Sequence, residues 1–158
     1  MAATTMLHIS KLVERIKNDF EAYVFEEGEL FRWSPQNRTI THLPLTDEKQ
    51  IWTLLHEIAH GELDHQGYEH DIQLLRCETE AWHYAAKTLA KRYDLAMDDN
   101  YIQDQLDTYR GWLHERSTCP KCKQNGLQTK TNTYRCINCR CLWHVNDALF
   151  CRLKRTRL

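Results

Sequence analysis

Apolar residues recur every three or four positions in four stretches of the chain, which is the pattern of amphipathic helices. The first stretch covers residues 8–20. The second begins with Thr46 as its expected N-cap and ends near Gly61. The third runs from residue 74 to about residue 93, and the fourth covers residues 98–115. The pattern therefore predicts four helices ahead of a cysteine-rich end.

A β-type pattern lies between the first two helices. The sequence Ser-Pro-Gln-Asn at 34–37 favours a turn, because proline suits the second turn position and asparagine tolerates a left-handed backbone. Residues Thr39–Leu43 then alternate between apolar and polar, as a half-buried strand does. We expect a short antiparallel β-hairpin over 29–43 and, with the helices, an α+β fold.

Charge divides the chain near the end of the fourth helix. Residues 1–113 carry 11 Lys+Arg against 20 Asp+Glu, whereas residues 114–158 carry 10 against 2. Cysteine pairs, lysines and polar turns replace the helical pattern at the same point. We expect two domains, an acidic one at 1–115 and a basic one at 116–158.

The apolar residues and the cysteines bear on the compartment. No run of eighteen apolar residues occurs and the N-terminus has no apolar stretch of signal-peptide length, so we expect a cytoplasmic protein without a membrane span. Four of the seven cysteines form two Cys-x-x-Cys pairs, which in a reducing compartment favour a metal over disulfides. Cys77 and Cys151 are expected to be reduced structural thiols.

The sequence His-Glu-Ile-Ala-His within the second helix predicts a metal site. His56 and His60 lie four residues apart on one helix face, where two imidazoles can share one Zn²⁺. Glu57 is rotated by about 100° from His56 and so lies beside the metal, where a base must be to take a proton from water. The plainer alternative is a pair of surface histidines.

A catalytic zinc needs a third protein ligand. The candidates downstream are His65, His70, Glu78, Glu80 and His83. Two antiparallel helices joined by residues 65–73 would bring Glu80 back to the level of the two histidines. Glu78 points elsewhere on the same helix and is expected to be a solvated acid.

Two segments of the chain resemble the ImmA/IrrE family of zinc metallopeptidases over roughly residues 8–95. They are "HEIAHGELDH" and "RCETEAWHYAAKTLA". The resemblance implies a small zincin domain in which His56 and His60 are zinc ligands, Glu57 is the catalytic glutamate and Glu80 is the zinc carboxylate. The family's common "LLMP"-like ending is replaced here by "AAKTLAKRY".

The resemblance also implies a function. Family members are cytoplasmic proteases that cut a regulatory partner, typically a helix-turn-helix repressor, in phages and mobile elements. In zincins a strand at the edge of the cleft pairs with the substrate backbone, and Thr39–Leu43 is the candidate here. Four residues are candidate donors to the developing oxyanion, and the sequence selects none of them: Tyr68, His70, His83 and Tyr84.

The two Cys-x-x-Cys pairs predict a second, structural zinc site. Thirteen residues separate the pairs, and together they offer four thiolates for a closed tetrahedral site. The ligands are Cys119, Cys122, Cys136 and Cys139. The flanking sequences predict the short sheet of a zinc ribbon, in which Cys141 and His144 are strand residues.

Basic residues of the ribbon suggest a contact with nucleic acid. They are Lys121, Lys123, Lys130, Arg135, Arg140 and the end "RLKRTRL". Tyr134 and Trp143 either stack on bases or form the core of the ribbon. A solubilising tail, docking on the acidic body, and a grip on an acidic or DNA-bound substrate protein are the alternatives.

Two other interpretations of the whole chain remain open. A SprT-like DNA-associated protease also joins His-Glu-x-x-His to a cysteine ribbon, with a downstream histidine as third ligand. His70 is the nearest candidate, but Asp71 follows where that family usually has glycine. The second is a non-catalytic zinc protein that binds nucleic acid or a partner through its ribbon.

Overall fold

The computed structural model describes residues 2–147 and 152–158, with side chains described from residue 7 onward. Within it the chain divides into two compact units, each built from two separate segments. The first unit comprises Met1–Gln66 and Thr79–Asp99, and the second comprises Gly67–Glu78 and Asn100–Leu158. The α+β class is confirmed, whereas the domains 1–115 and 116–158 stay a prediction.

The first unit contains the helices α1 (Ala2–Asp19) and α2 (Glu48–Glu62). Helix α1 starts six residues before the predicted stretch 8–20, whereas α2 lies close to its predicted position. Asp47 caps α2: its side chain accepts a hydrogen bond from the backbone N–H of Gln50, and the Gln50 side chain accepts one from the N–H of Asp47. The prediction of Thr46 as N-cap is therefore wrong by one residue.

A three-stranded sheet lies between these helices in sequence. It consists of β1 (Val24–Glu27), β2 (Arg32–Ser34) and β3 (Thr39–His42), in the order β1-β3-β2. The antiparallel pairing of β2 with β3 confirms the predicted hairpin, and β1 pairs in parallel with β3. Because β3 is bonded on both sides, the expectation that Thr39–Leu43 pairs with a substrate backbone is wrong.

Residues 71–92 form one continuous helical stretch. Helix α3 (Asp71–Tyr84) leads into a π-helical segment (Ala85–Leu89) and then into the short α4 (Ala90–Arg92). Helix α5 (Asp99–Ser117) follows after a loop. The third predicted helix thus starts three residues earlier than expected. None of the helices in the described part of the chain is long and apolar enough to cross a bilayer.

Apolar side chains from α1, β3 and α2, and from the continuous stretch of α3, the π-helical segment and α4, form the core of the first unit. Burial of this kind of surface stabilises a fold by roughly 25 cal/mol per Å². The fully buried members are Ile16, Ile40, Leu54, Leu55, Ile58, Ala59, Ala81, Ala85 and Ala90. This core fixes the face of α2 that carries the two histidines.

The second unit contains a four-stranded antiparallel sheet in the order β4-β5-β6-β7. Its strands are β4 (Gly126–Lys130), β5 (Thr133–Cys136), β6 (Leu142–Val145) and β7 (Arg155–Arg157). Tyr134 and Trp143 are 2% and 0% exposed and their rings stack, so they form the core of the sheet and are not available to nucleic-acid bases.

A buried ion pair holds the second unit together beneath this sheet. Arg116 and Asp71 are 1% and 2% exposed, and the Arg116 Nε donates to Asp71 Oδ2 at 2.6 Å. The Tyr134 hydroxyl also donates to Asp71, and the Trp143 indole N–H donates to the Arg116 carbonyl oxygen at 3.0 Å. The end of α5 and the start of α3 are thereby bonded to the sheet.

Candidate metal centres

The two histidines of α2 lie side by side and are buried. His56 and His60 are 4% and 8% exposed, and their Nε2 atoms are 3.1 Å apart. Two imidazoles on one tetrahedral zinc would place these nitrogens about 3.4 Å apart. The His56 ring also stacks on Trp82, with ring centroids 4.2 Å apart. The alternative of two surface histidines is therefore wrong.

The carboxylate that accompanies this pair belongs to Glu78. One donor atom from each of His56, His60 and Glu78 lies within 4.8 Å of the others, and Glu78 is only 6% exposed. The prediction that Glu78 is a solvated acid is therefore wrong. These three residues could hold a metal ion with two nitrogens and one oxygen.

Glu80 takes a different place from the one expected for it. Its side chain is 44% exposed, and its Oε2 lies 3.4 Å from Nε2 of His65. Residues two apart on a helix point about 200° apart, so Glu78 and Glu80 cannot face the same partners. The structure thus exchanges the surroundings expected for the two glutamates.

The remaining candidate ligands lie outside this group in the described residues. His65 contacts His60 from the other edge of the ring, with 2.9 Å between the two Nδ1 atoms. His70 is half-buried, and its backbone N–H donates to Gln73 Oε1 just ahead of α3. His83 is exposed on α3.

Glu57 is also buried, at 8% exposure, on the turn of α2 that carries His56. A carboxylate in that place is largely shielded from bulk water. Among the candidate oxyanion donors, Tyr84 is half-buried against the core of the first unit, and Tyr68 is 44% exposed. Neither position favours one donor over the others.

The four predicted cysteines come together in the second unit. Their sulfur atoms all lie within 4.8 Å of one another. The Sγ atoms of Cys119 and Cys139 are 3.6 Å apart, and those of Cys122 and Cys136 are 3.4 Å apart. A tetrahedral zinc with bonds of ~2.3 Å needs sulfur separations of about 3.8 Å. The four thiols could therefore hold one metal ion with little movement.

The two Cys-x-x-Cys pairs lie in equivalent backbone turns. The N–H of Lys123 donates to the Cys119 carbonyl at 3.0 Å, and the N–H of Arg140 donates to the Cys136 carbonyl at 3.1 Å. Lys123 and Arg140 both adopt positive φ angles, 66° and 61°. The sequence gives no sign of this left-handed turn, because neither residue is glycine or asparagine.

Backbone hydrogen bonds adjust the acidity of these thiols. A backbone hydrogen bond from Gln124, then one from the Asn138 side chain, lowers the pKa of Cys122 to about 6. For Cys139 a backbone hydrogen bond from Cys141 lowers the pKa, but burial and the neighbouring thiols outweigh it and raise the pKa to about 12. The hydrogen bonds to Cys122 favour its thiolate form, and a bound cation would favour the thiolate form of its other ligands as well.

Among the described residues, Cys77, Cys141 and His144 lie outside the cluster. His144 is exposed on β6, as expected of a strand residue, whereas Cys141 is half-buried just ahead of β6 and so is not a strand residue as expected. Cys77 is half-buried on α3. Cys151 lies outside the described residues, so its expected role as a structural thiol stays a prediction.

Comparison of the chain with protein-family models, with curated proteins and with solved structures finds no match.

Proposed function

We propose that the chain is a zinc-dependent endopeptidase whose catalytic zinc is held by His56, His60 and Glu78. The supporting observation is that the donor atoms of these three buried residues lie within 4.8 Å of one another. Two imidazoles and one carboxylate are a common protein ligand set for catalytic zinc, with a fourth position left for water or substrate. This ligand set replaces Glu80 with Glu78, so it rests on the geometry and not on the family resemblance.

In this mechanism Glu57 is the general base. A zinc ion held by His56, His60 and Glu78 would act as a Lewis acid for a peptide carbonyl and would lower the pKa of water. Glu57 takes a proton from the attacking water and later gives it to the leaving amine. The stack of Trp82 on His56, at 4.2 Å between centroids, keeps that imidazole oriented toward His60. The oxyanion donor stays unassigned.

The substrate of the proposed enzyme is a regulatory protein, specifically a helix-turn-helix repressor in a phage or mobile-element setting. This part of the proposal, with its cytoplasmic location, rests on the resemblance of "HEIAHGELDH" and the helix after it to the ImmA/IrrE family. Because β3 is bonded on both sides, any pairing with the substrate backbone falls to an outer strand, β1 or β2.

Capture of the substrate tests the catalytic proposal. The Glu57→Gln protein should bind zinc as the original chain does, capture the substrate and leave it intact, because an amide cannot take the proton. The captured protein is then incubated with the original chain, with Glu57→Gln and with Glu48→Gln. Glu48 is an exposed glutamate on the same helix and serves as the matched control.

Cleavage should be lost by a factor of about 100 or more in Glu57→Gln and kept in Glu48→Gln. Equal cleavage by Glu57→Gln would show that Glu57 is not the base. No cleavage of the captured partner by the original chain would contradict proteolysis and favour the non-catalytic zinc protein.

The four cysteines are proposed to hold a second, structural zinc in a zinc ribbon. All four positions around the ion would be filled by thiolates, so the site contributes to folding and leaves no place for a substrate. The proposal therefore predicts two zinc ions per chain, one in each group.

The basic residues around the ribbon are proposed to contact nucleic-acid phosphates. The supporting observation is that five of them are all exposed: Lys121, Lys123, Lys130, Arg135 and Arg140. Affinity for a DNA duplex should fall steeply with salt, and replacing Lys123 or Arg140 by Gln should lower the salt slope by about 1 each. Lys87→Gln changes an exposed residue on the π-helical segment and should leave the salt slope unchanged. Lack of DNA binding at low salt would leave docking on an acidic protein as the role of this surface.

The SprT-like interpretation has less support. It needs His70 as third ligand, and among the described residues His70 does not join the group formed by His56 and His60.

A further inference from the structure

His60 makes close contacts through both nitrogens of its ring. Its Nε2 lies 3.1 Å from His56 Nε2, on the side of the proposed zinc site. Its Nδ1 lies 2.9 Å from His65 Nδ1. The far nitrogen of that second ring, His65 Nε2, lies 3.4 Å from Glu80 Oε2. The four side chains therefore form a continuous polar chain in the order Glu80, His65, His60, His56.

With His65 neutral and Glu80 ionised, this chain has one consistent arrangement of protons. An ionised carboxylate only accepts hydrogen bonds, so the proton of a neutral His65 is on Nε2 and its Nδ1 is an acceptor. His60 must then donate from Nδ1, which leaves the lone pair of its Nε2 directed toward His56. That is the form of an imidazole that can bind a metal.

The backbone around His65 holds this ring in place. The His65 N–H donates to the His60 carbonyl at 2.9 Å, beyond the last turn of α2. The indole N–H of Trp33 on β2 donates to the His65 carbonyl at 3.0 Å. Asp64, the residue before it, has a φ of 53°, a left-handed conformation that turns the chain back toward His60. The side chain of His65 is 9% exposed.

We propose that His65 and Glu80 are positioning residues for zinc at the site of His56, His60 and Glu78. They hold the ring and the tautomer of His60 so that Nε2 is available to the metal. The proposal rests on the proposed zinc site, but it assigns a role to two residues that are not ligands there. Glu80 acts only through His65, and its own side chain is 44% exposed, so its effect is the smaller of the two.

Zinc affinity, measured by competition with a chelator, tests this proposal without an activity assay. His65→Ala should weaken zinc binding at the histidine site by about 10- to 100-fold, because His60 loses its partner. His65→Asn should recover part of this loss, since its amide oxygen can accept the bond from His60. His83→Ala, an exposed histidine on α3, is the matched control and should leave the affinity unchanged.

A double-mutant cycle distinguishes a relay, in which Glu80 acts on His60 through His65, from a general effect on folding. Glu80→Gln should weaken zinc binding by a smaller factor than His65→Ala in the original chain, and by nothing further once His65 is alanine. Equal effects of Glu80→Gln in both backgrounds would contradict the relay, and so would an unchanged affinity in His65→Ala.

The same titration keeps this proposal distinct from the zinc site itself. Glu78→Gln should abolish zinc binding at the histidine site. If it does so while His65→Ala has no effect, the zinc site stands and the relay fails. If Glu78→Gln also binds zinc normally, the proposed site is wrong. The zinc of the four cysteines, retained in every variant, gives an internal reference for the concentration of folded protein.

Discussion

The two candidate metal groups differ in where their donors come from. The four cysteines lie within 21 residues, and each pair is shaped by its own backbone turn. The histidine group takes two donors from helix α2 and one from a different helix, α3. A ligand set made of local turns can be recognised from spacing alone, whereas one made from two helices depends on the rotation of each helix.

The largest effect on stability is expected from the loss of a ligand in the cysteine group. Cys136→Ser removes one ligand from a closed site, and structural zinc contributes on the order of 10 kcal/mol to the folding of small zinc modules. We expect the loss of one zinc and of protection from hydrogen exchange in β4, β5 and β6. Cys141→Ser, at the half-buried cysteine outside the cluster, should retain both. A protected sheet in Cys136→Ser would show that the sheet does not depend on the metal.

The buried ion pair tests whether the second unit also has stability of its own. Asp71→Ala leaves the Arg116 guanidinium buried without its carboxylate, which costs about 3–5 kcal/mol in comparable pairs. Asp107→Ala is the control, because it breaks an exposed pair with Arg110 worth about 0–1 kcal/mol. Chemical denaturation measures both, and equal losses for the two variants would contradict a structural role for the buried pair.

A smaller effect is expected from alkaline pH. Burial, and then the hydrogen bond to Asp71, raises the pKa of Tyr134 above the ordinary tyrosine value. The stabilisation from this raised pKa is complete below the unfolded pKa of about 10 and is lost as pH rises through the folded pKa. The free energy of unfolding, measured from about pH 8 to about pH 11, should fall as the pH passes the unfolded pKa of about 10. Tyr134→Phe should reduce this fall. An identical fall in Tyr134→Phe would assign the effect to other groups.

The sequence predicts the elements better than their partners. The periodicity locates α1, α2, α3 and α5, and the turn residues locate the hairpin, because these are local properties. The position of β1 beside β3 is not predictable in the same way, because it is a parallel pairing set by contacts distant in sequence. For the same reason β3 is central although the hairpin pattern alone left one of its sides open.

The exchange of Glu78 and Glu80 has a related cause. The two residues differ by about 200° around α3, and the sequence contains no measure of how that helix is rotated. Two features do indicate the rotation once the structure is known. Trp82 stacks on His56, and Glu78 lies one helical turn before Trp82 on α3. The buried pair of Asp71 and Arg116, 45 residues apart, likewise leaves no pattern in the sequence.

The zinc content of two glutamate variants tests the central claim most directly. Measured with excess zinc followed by removal of unbound metal, the original chain should hold two zinc ions. Glu78→Gln should hold one with little change in stability, and Glu80→Gln should hold two. The reverse outcome, in which Glu80→Gln loses a zinc and Glu78→Gln keeps both, would contradict the site formed by His56, His60 and Glu78.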